Sequence, residues 1–185
     1  MKNTTLNDVT SCLSDYDPDA LPVRHAQRII NDFIAPVTAI EKVALRSALD
    51  RVLAEDVISP ISVPAHDNSA MDGYALRGAD LDETAATTLK IIATVYAGRP
   101  SGVVPQPGEC VRIMTGGAMP AGCDSVIPQE HVASESGDII TINAGTIRTG
   151  DNRRFAGEDL MAGSAAIGKG KVIRPADLGL LASLG

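Results

Sequence analysis

Residues 71–143 are divided into short apolar runs by glycine and proline, and this pattern constrains the fold most strongly. Each run has the length of a β-strand, and most are rich in β-branched residues, which favour strands. Because aromatic residues make up only 3% of the chain and tryptophan is absent, the core must be aliphatic. Several short strands at this spacing predict a compact β-sandwich or barrel. The runs cover residues 74–76, 89–96, 110–114, 125–127 and 139–142.

The segments on either side of this region carry two helix signals. Residues 22–34 have apolar side chains at helical spacing, and Pro36 ends the predicted amphipathic helix. A second helix is predicted to open at Pro175. Prolines within residues 59–64 favour extended backbone and indicate a domain boundary. We also expect a helical turn at 46–50 and short strands at 41–45, 57–58, 165–167 and 171–173.

A glycine-rich segment near the end of the chain resembles a phosphate-binding P-loop without matching it. Gly170 occupies the position where serine or threonine should bind magnesium. A strand is predicted to follow, whereas a P-loop opens a helix. We therefore interpret residues 168–170 as the turn of a β-hairpin that joins 165–167 to 171–173, and we exclude nucleotide binding there.

Charge and cysteine content exclude several classes of protein. With 23 acidic and 16 basic residues the formal net charge is -7, which disfavours binding to nucleic-acid phosphates. Cys12, Cys110 and Cys123 are far apart and odd in number, so we expect reduced structural thiols rather than disulfides or zinc. No secretory signal is visible, and no apolar run approaches the ~20 residues that span a bilayer. We expect a soluble, cytoplasmic protein that binds neither nucleic acid nor membrane.

Residues 67–75 concentrate more polar chemistry than any other stretch. Asp67 and Asp72 could share a cation such as Mg²⁺, which prefers one or two carboxylates together with substrate phosphates. Alternatively, Asp67, Asn68 and Ser69 could satisfy backbone groups in a turn, which is the more frequent use of such residues. The density of polar groups exceeds what one turn needs, and it favours a functional loop.

Two further polar segments leave their interpretation open. In Thr115-Gly116-Gly117 the backbone amides could form an anion nest, although a tight glycine turn is the more common use of this pattern. Arg153 and Arg154 precede Glu158 and Asp159, and arginine forks suit phosphate or carboxylate ligands. The same four residues could equally be a surface salt-bridge cluster.

Taken together and in order, these segments resemble the MoeA family of molybdopterin molybdenumtransferases, which includes the E domain of gephyrin. The resemblance rests on four segments and covers nearly the whole chain from about Val23. Another segment, 122–130, also resembles the family. The four segments are residues 67–75 (DNSAMDGYA), 112–116 (RIMTG), 152–159 (NRRFAGED) and 180–185 (LLASLG).

The resemblance implies an enzyme that inserts molybdate into adenylated molybdopterin with Mg²⁺, releasing AMP and molybdenum cofactor. It implies three catalytic residues, Asp67, Thr115 and Asp159. Substrate binding is expected from Asn68, Ser69, Gly116, Arg153 and Arg154. Mg²⁺ is expected to be held or oriented by Asp67, Asp72, Glu158 and Asp159. The Thr115 hydroxyl and the amides that follow it could donate to an oxyanion.

The resemblance also implies a mixed, mostly β fold in an elongated homodimer. Residues 1–55 are expected to form the N-terminal segment and the first part of a discontinuous linker domain, which combines a helix with short strands. Residues 56–145 are expected to form an inserted β-rich, sandwich- or barrel-like domain, and 146–185 the second part of the linker domain. A molybdopterin-binding domain and a small β-barrel are expected to follow Gly185, and without them we expect no activity.

Two functions stay open at this point. The first is the transferase, with substrate handed over by a molybdopterin adenylyltransferase and with the active site shared between two subunits. The second is a non-catalytic dimerisation or scaffold module of the gephyrin type. The dense carboxylates and arginines favour the enzyme, because a scaffold need not keep them.

Overall fold

The computed structural model describes residues 23–185, so the predictions made for residues 1–22, including Cys12 and Pro22, lie outside the described residues. The chain divides into two compact units, Met1–Lys42 and Val43–Gly185. In the described part of the first unit, helix α1 spans Val23–Phe33. This confirms the predicted helix over its described residues. The apolar side chains of Val23, Ile30 and Phe33 on α1 are exposed.

The second unit is built on one six-stranded sheet with the strand order β6-β3-β5-β4-β8-β7. Neighbouring strands are antiparallel except for β4 and β5, which are parallel. The sheet curls into a half-barrel, and the predicted mixed, mostly β fold is confirmed. The strands are β3 (Gly73–Leu76), β4 (Thr87–Val95), β5 (Glu109–Ile113), β6 (Ser125–Pro128), β7 (Ser134–Ser136) and β8 (Ile139–Ile142).

Strands β3 and β6 are buried on both faces, which explains why they are almost continuously apolar. Every residue of β3 and β6 is buried. Tyr74 and Leu76 of β3 belong to one core cluster, whereas Ala75 belongs to the other. This alternation follows from the two-residue period of a strand. Tyr74 packs in the core of the sheet, in line with its predicted packing role, and the remaining core is mainly aliphatic.

Segments before the sheet pair with segments after it. Strand β1 (Val57–Ile58) pairs with β10 (Ala165–Ile167), and β2 (Asn68–Ser69) pairs with β9 (Arg153–Arg154). Val52 also forms an isolated bridge with Val172. The chain therefore returns to its starting region after completing the sheet. The domain boundaries at 55 and 145 stay a prediction.

Three local predictions need correction or refinement. Residues 41–45 do not form a strand, and a short 3-10 helix at Leu45–Ser47 lies where a helical turn was expected at 46–50. The predicted hairpin around residues 168–170 is wrong, although the turn exists. Because residues 51–58 already supply backbone partners, β10 pairs with β1 and Leu53 donates to the Lys171 carbonyl at 3.0 Å.

Helix α2 spans Pro175–Leu184, as predicted. Asp177 caps its first turn by accepting the Arg174 N–H at 2.9 Å, and Lys171 Nζ donates to the same carboxylate at 2.6 Å. Lys171 is the largest cause of the lowered pKa of Asp177. Among residues 23–185, no helix combines the length and the apolar character that crossing a membrane requires.

Cys110 and Cys123 should not react with Ellman's reagent at about pH 8 while the protein is folded. Both thiols are buried, and burial raises their pKa to about 12 and about 11, so the reactive thiolate is scarce. We expect both to react fully once denaturant exposes them. The measurement should use a Cys12→Ser variant, so that each labelled thiol belongs to this pair. Fast labelling of the folded variant would contradict the buried placement.

Candidate functional site

The β2–β9 ribbon joins the first and third polar segments of the sequence. Asn68 pairs with Arg154, and Ser69 pairs with Arg153, in antiparallel register. The Ala70 N–H also donates to the Asn152 carbonyl at 2.9 Å. The segment 67–75 was expected to be a loop, and no strand was predicted at 153–154, because short polar strands carry no apolar period. The ribbon brings the predicted site residues of these segments together.

Asp67 lies at the start of this ribbon and is engaged through both carboxylate oxygens. One oxygen accepts the Ala156 N–H at 2.8 Å, and the other accepts Arg153 Nε at 3.0 Å and Arg153 Nη2. The Ala156 amide, followed by Arg153, lowers the pKa of Asp67. The side chain is 29% exposed. Asp67 is therefore a charged, oriented carboxylate that solvent can still reach.

The two arginines of β9 have different partners. Arg153 binds Asp67, and its guanidinium carbon lies 4.8 Å from the centre of the Phe155 ring. Arg154 donates to Glu158 at 3.0 Å and to Asp159 at 2.6 Å. These two acceptors raise the pKa of Arg154, with Asp159 the larger cause. Both arginines thus form ion pairs within the protein, as in the salt-bridge alternative, and substrate binding by them stays a prediction.

Glu158 and Asp159 lie in a turn that is fixed by backbone hydrogen bonds. The Phe155 N–H donates to Glu158 at 2.9 Å, and this bond is the largest cause of the lowered pKa of Glu158. The Asp159 N–H donates to the Val63 carbonyl at 3.0 Å. The Asp159 side chain is 53% exposed. Of this pair, Asp159 is therefore the more open to a ligand.

Asp72 and Thr115 form a second contact between distant segments. Asp72 Oδ1 accepts the Thr115 hydroxyl at 2.6 Å and the Thr115 N–H at 2.7 Å. The hydroxyl, followed by the amide, lowers the pKa of Asp72. Because the Thr115 proton is directed at Asp72, the lone pairs of the hydroxyl oxygen are left for a ligand. In this arrangement Thr115 can accept a hydrogen bond or contact a cation.

The backbone amides after Thr115 already have acceptors within the protein. The Gly116 N–H donates to the Ser69 carbonyl at 2.9 Å, and the Gly117 N–H donates to the Met114 carbonyl at 2.8 Å. Gly116 adopts a φ of 77°, which glycine tolerates without strain. This is the tight-turn alternative, and the expected anion nest and oxyanion donors are not open in this conformation. A substrate contact by Gly116 stays a prediction.

Asn68 and Ser69 are buried, which limits what they can offer a ligand. The Ser69 hydroxyl donates to the Met71 carbonyl at 2.5 Å and accepts the Met71 N–H at 3.2 Å. Ser69 therefore serves the turn that shapes the segment, in line with the capping alternative. Their assignment to substrate binding stays a prediction.

All four expected magnesium ligands already accept hydrogen bonds from other groups of the protein. Within residues 23–185, no group of three or more histidine, cysteine, aspartate or glutamate side chains is arranged to hold a metal ion. A pair of carboxylates still suits Mg²⁺, which completes its shell with water and substrate phosphates. Asp72, whose described side-chain hydrogen bonds use only Oδ1, and the exposed Asp159 keep the most room for a ligand among the four. The metal roles of Asp67, Asp72, Glu158 and Asp159 stay predictions.

Three residues of the segment 152–159 contribute to the site although the sequence predicted no role for them. Asn152 adopts a φ of 59°, and its side-chain amide donates to the Val126 carbonyl at 2.9 Å, so it connects the ribbon to β6. Asparagine tolerates this backbone conformation better than most residues, which was an available signal. Ala156 contributes through its backbone, and Phe155 through its ring, and neither role has a sequence signal.

The chain is similar to known proteins in its family, its sequence and its fold. Residues 21–185 match the family model described as "MoeA N-terminal region (domain I and II)". The chain is 42% identical over 148 residues to a molybdopterin molybdenumtransferase of Haemophilus influenzae, covering 80% of this chain and 36% of that protein. It is 36% identical over 167 residues to molybdopterin molybdenumtransferase 2 of Mycobacterium tuberculosis, covering 88% of this chain and 40% of that protein.

A solved structure is similar as well. The molybdopterin biosynthesis moeA protein of Pyrococcus horikoshii OT3 superposes with a TM-score of 0.80 at 35% identity. That superposition covers 89% of this chain and 44% of the other. The chain thus spans less than half the length of each of these relatives.

Proposed function

This chain belongs to the MoeA family through its N-terminal region, and on that premise we propose that it forms the N-terminal half of a molybdenum cofactor transferase. The proposed reaction inserts molybdate into adenylated molybdopterin and releases AMP. The observation that carries the proposal is the convergence of Asp67, the Asp72–Thr115 pair and the exposed Asp159 around the β2–β9 ribbon.

The charges of the site support work on anionic substrates. Asp67 and Asp72 have lowered pKa values, so both are ionised at neutral pH. Arg153 and Arg154, the two consecutive residues of β9, offset this negative charge. An arginine that shares its guanidinium between two carboxylates can exchange one of them for a phosphate or molybdate oxygen, because all are acceptors of the same fork geometry. We propose this exchange for Arg154.

The carboxylates have complementary proposed roles. Asp67 is held by Arg153 and the Ala156 amide, so its position is fixed before substrate arrives. Thr115 presents its oxygen lone pairs beside Asp72. When bound, Mg²⁺ would neutralise charge on the substrate pyrophosphate, and Asp72 and Asp159 are the residues that we propose to hold it.

The proposal extends to partners. The exposed apolar side chains of α1 support a homodimer, because such a face gains free energy when a second copy covers it. The relatives are more than twice as long as the part of them that this chain matches. We propose that domains corresponding to their unmatched part supply the rest of the active site, so that this chain alone is inactive. Adenylated molybdopterin would be handed over by a molybdopterin adenylyltransferase in the cytoplasm.

The whole protein should release AMP from adenylated molybdopterin only when molybdate and Mg²⁺ are both supplied. Chromatographic quantification of AMP, together with reconstitution of a cofactor-free molybdenum enzyme, measures both products. Omission of molybdate is the control, because simple hydrolysis of the anhydride would not need it. AMP release that is independent of molybdate, or no release at all, would contradict the proposed reaction and favour a scaffold role.

A further inference from the structure

Phe155 is the exposed aromatic residue at the ribbon. The residue is 54% exposed and follows directly after β9, next to the Ala156 amide that holds Asp67. Isolated exposed apolar side chains are common, so exposure alone indicates nothing. What distinguishes Phe155 is that its backbone and its ring are both held by residues of the site.

The ring of Phe155 is held on one side by a cation with little freedom to move. Arg153 lies 4.8 Å from the ring centre, and its Nε and Nη2 donate to Asp67. The Phe155 N–H donates to Glu158, which also binds Arg154. The ring is therefore preorganised, and little conformational entropy would be lost if a ligand packed against its open surface.

An ordered ring beside arginine suits one kind of ligand. Flat heteroaromatic rings stack on phenylalanine and on guanidinium planes, and a phosphate elsewhere in the same ligand is attracted by the same arginines. In the proposed function, the substrate carries two such rings, a pterin and an adenine. Asp67, which is bonded to Arg153, would then lie close to the bound ring and its phosphate.

Resting on the proposed function, we propose that Phe155 and Arg153 form a stacking platform for a planar heteroaromatic ring of the substrate. Phe155 would be a specificity-determining residue, since the ring selects pterin or adenine while the arginines and carboxylates act on the phosphates. The proposal names one ligand chemistry, and its two sources can be separated by experiment.

Binding of AMP, a free pterin and ribose 5-phosphate to the whole protein should be measured by isothermal titration calorimetry. We expect Phe155→Leu to weaken binding of at least one ring-containing probe about tenfold, because a base–aromatic stack is lost. Ribose 5-phosphate, which has no heteroaromatic ring, should bind unchanged. Phe155→Trp should keep the affinity. Ile139→Ala, which also removes exposed apolar surface but lies on β8 at the other side of the sheet from the ribbon, is the control.

The outcomes separate the alternatives. A loss confined to AMP assigns the platform to adenine, and a loss confined to the pterin assigns it to the pterin ring. Unchanged affinity for both rings, an equal loss for ribose 5-phosphate, or no binding of either ring by the unaltered protein would overturn the proposal. So would a changed oligomeric mass of Phe155→Leu, which would place the ring in a subunit contact. Ring binding is measured without turnover. A failure to release AMP would therefore contradict the proposed reaction without deciding whether Phe155 stacks on a ring.

Discussion

Replacing Asp67 with alanine should lower molybdate-dependent AMP release by the whole protein about 100-fold or more, the scale seen when a preorganised polar group of an active site is removed. The substitution deletes an ionised carboxylate and leaves Arg153 and the Ala156 N–H without their shared acceptor. The initial rate at saturating molybdate is the measurement. Thermal unfolding of the same sample should show that the protein remains folded.

The matched control is Asp82→Ala. Asp82 is also exposed and also accepts backbone N–H groups, from Thr84 at 2.8 Å and Ala85 at 3.0 Å, but it lies in a turn apart from the ribbon. The rate of Asp82→Ala therefore shows how much activity is lost when any aspartate that caps backbone N–H groups is removed. Equal rates for Asp67→Ala and Asp82→Ala would show that the Asp67 carboxylate has no part in the reaction. Asp67→Asn should also be impaired, because the amide cannot supply the negative charge.

Gly73→Ala should destabilise the fold by about 3 kcal/mol or more, near the upper end of what overpacking a core costs. A Cβ at position 73 would overlap the carbonyl oxygen of Ile127 and lie 2.8 Å from its carbonyl carbon. Both are backbone atoms of the neighbouring strand β6, so no side chain can move to relieve the overlap. The free energy of unfolding from urea titration is the measurement.

Gly102→Ala serves as the control for Gly73→Ala. A Cβ at Gly102 would meet nothing within 4 Å, and its backbone is not in the left-handed region. We expect its unfolding free energy to stay within about 0.5 kcal/mol of the unaltered protein. If Gly73→Ala proved as stable as Gly102→Ala, the close β3–β6 approach described here would be wrong. Since Gly73 follows Asp72, a shift of β3 should also disturb the bond to Thr115.

The sheet was predictable because its strands are apolar where they are buried. The runs around Tyr74, Val111 and Val126 are apolar in sequence and buried in the structure. All five predicted runs of residues 71–143 contain strands. Strands β2, β7 and β9 were missed because they are short and polar, and β7 is fully exposed. Such strands depend on partners that are distant in sequence, and a local pattern does not contain that information.

The site was predictable as a set of segments but not as a set of contacts. The resemblance implied that residues near Asp67, Thr115 and Asp159 act together. The sequence did not reveal that Arg153 binds Asp67, or that the Gly116 amide is occupied by the Ser69 carbonyl. The hairpin prediction failed for the same reason, because the partner of β10 is the distant strand β1.

The ion pair between Asp67 and Arg153 joins residues 86 positions apart, and this has a consequence for synthesis on the ribosome. Asp67 leaves the ribosome long before Arg153, and the whole six-stranded sheet lies between them. Contacts of such long range form late, because the intervening chain must first be ordered. A nascent or truncated chain that lacks β9 would therefore hold an uncompensated carboxylate and no assembled site. The sheet would thus have to be completed before the charged groups of the site take up their final arrangement.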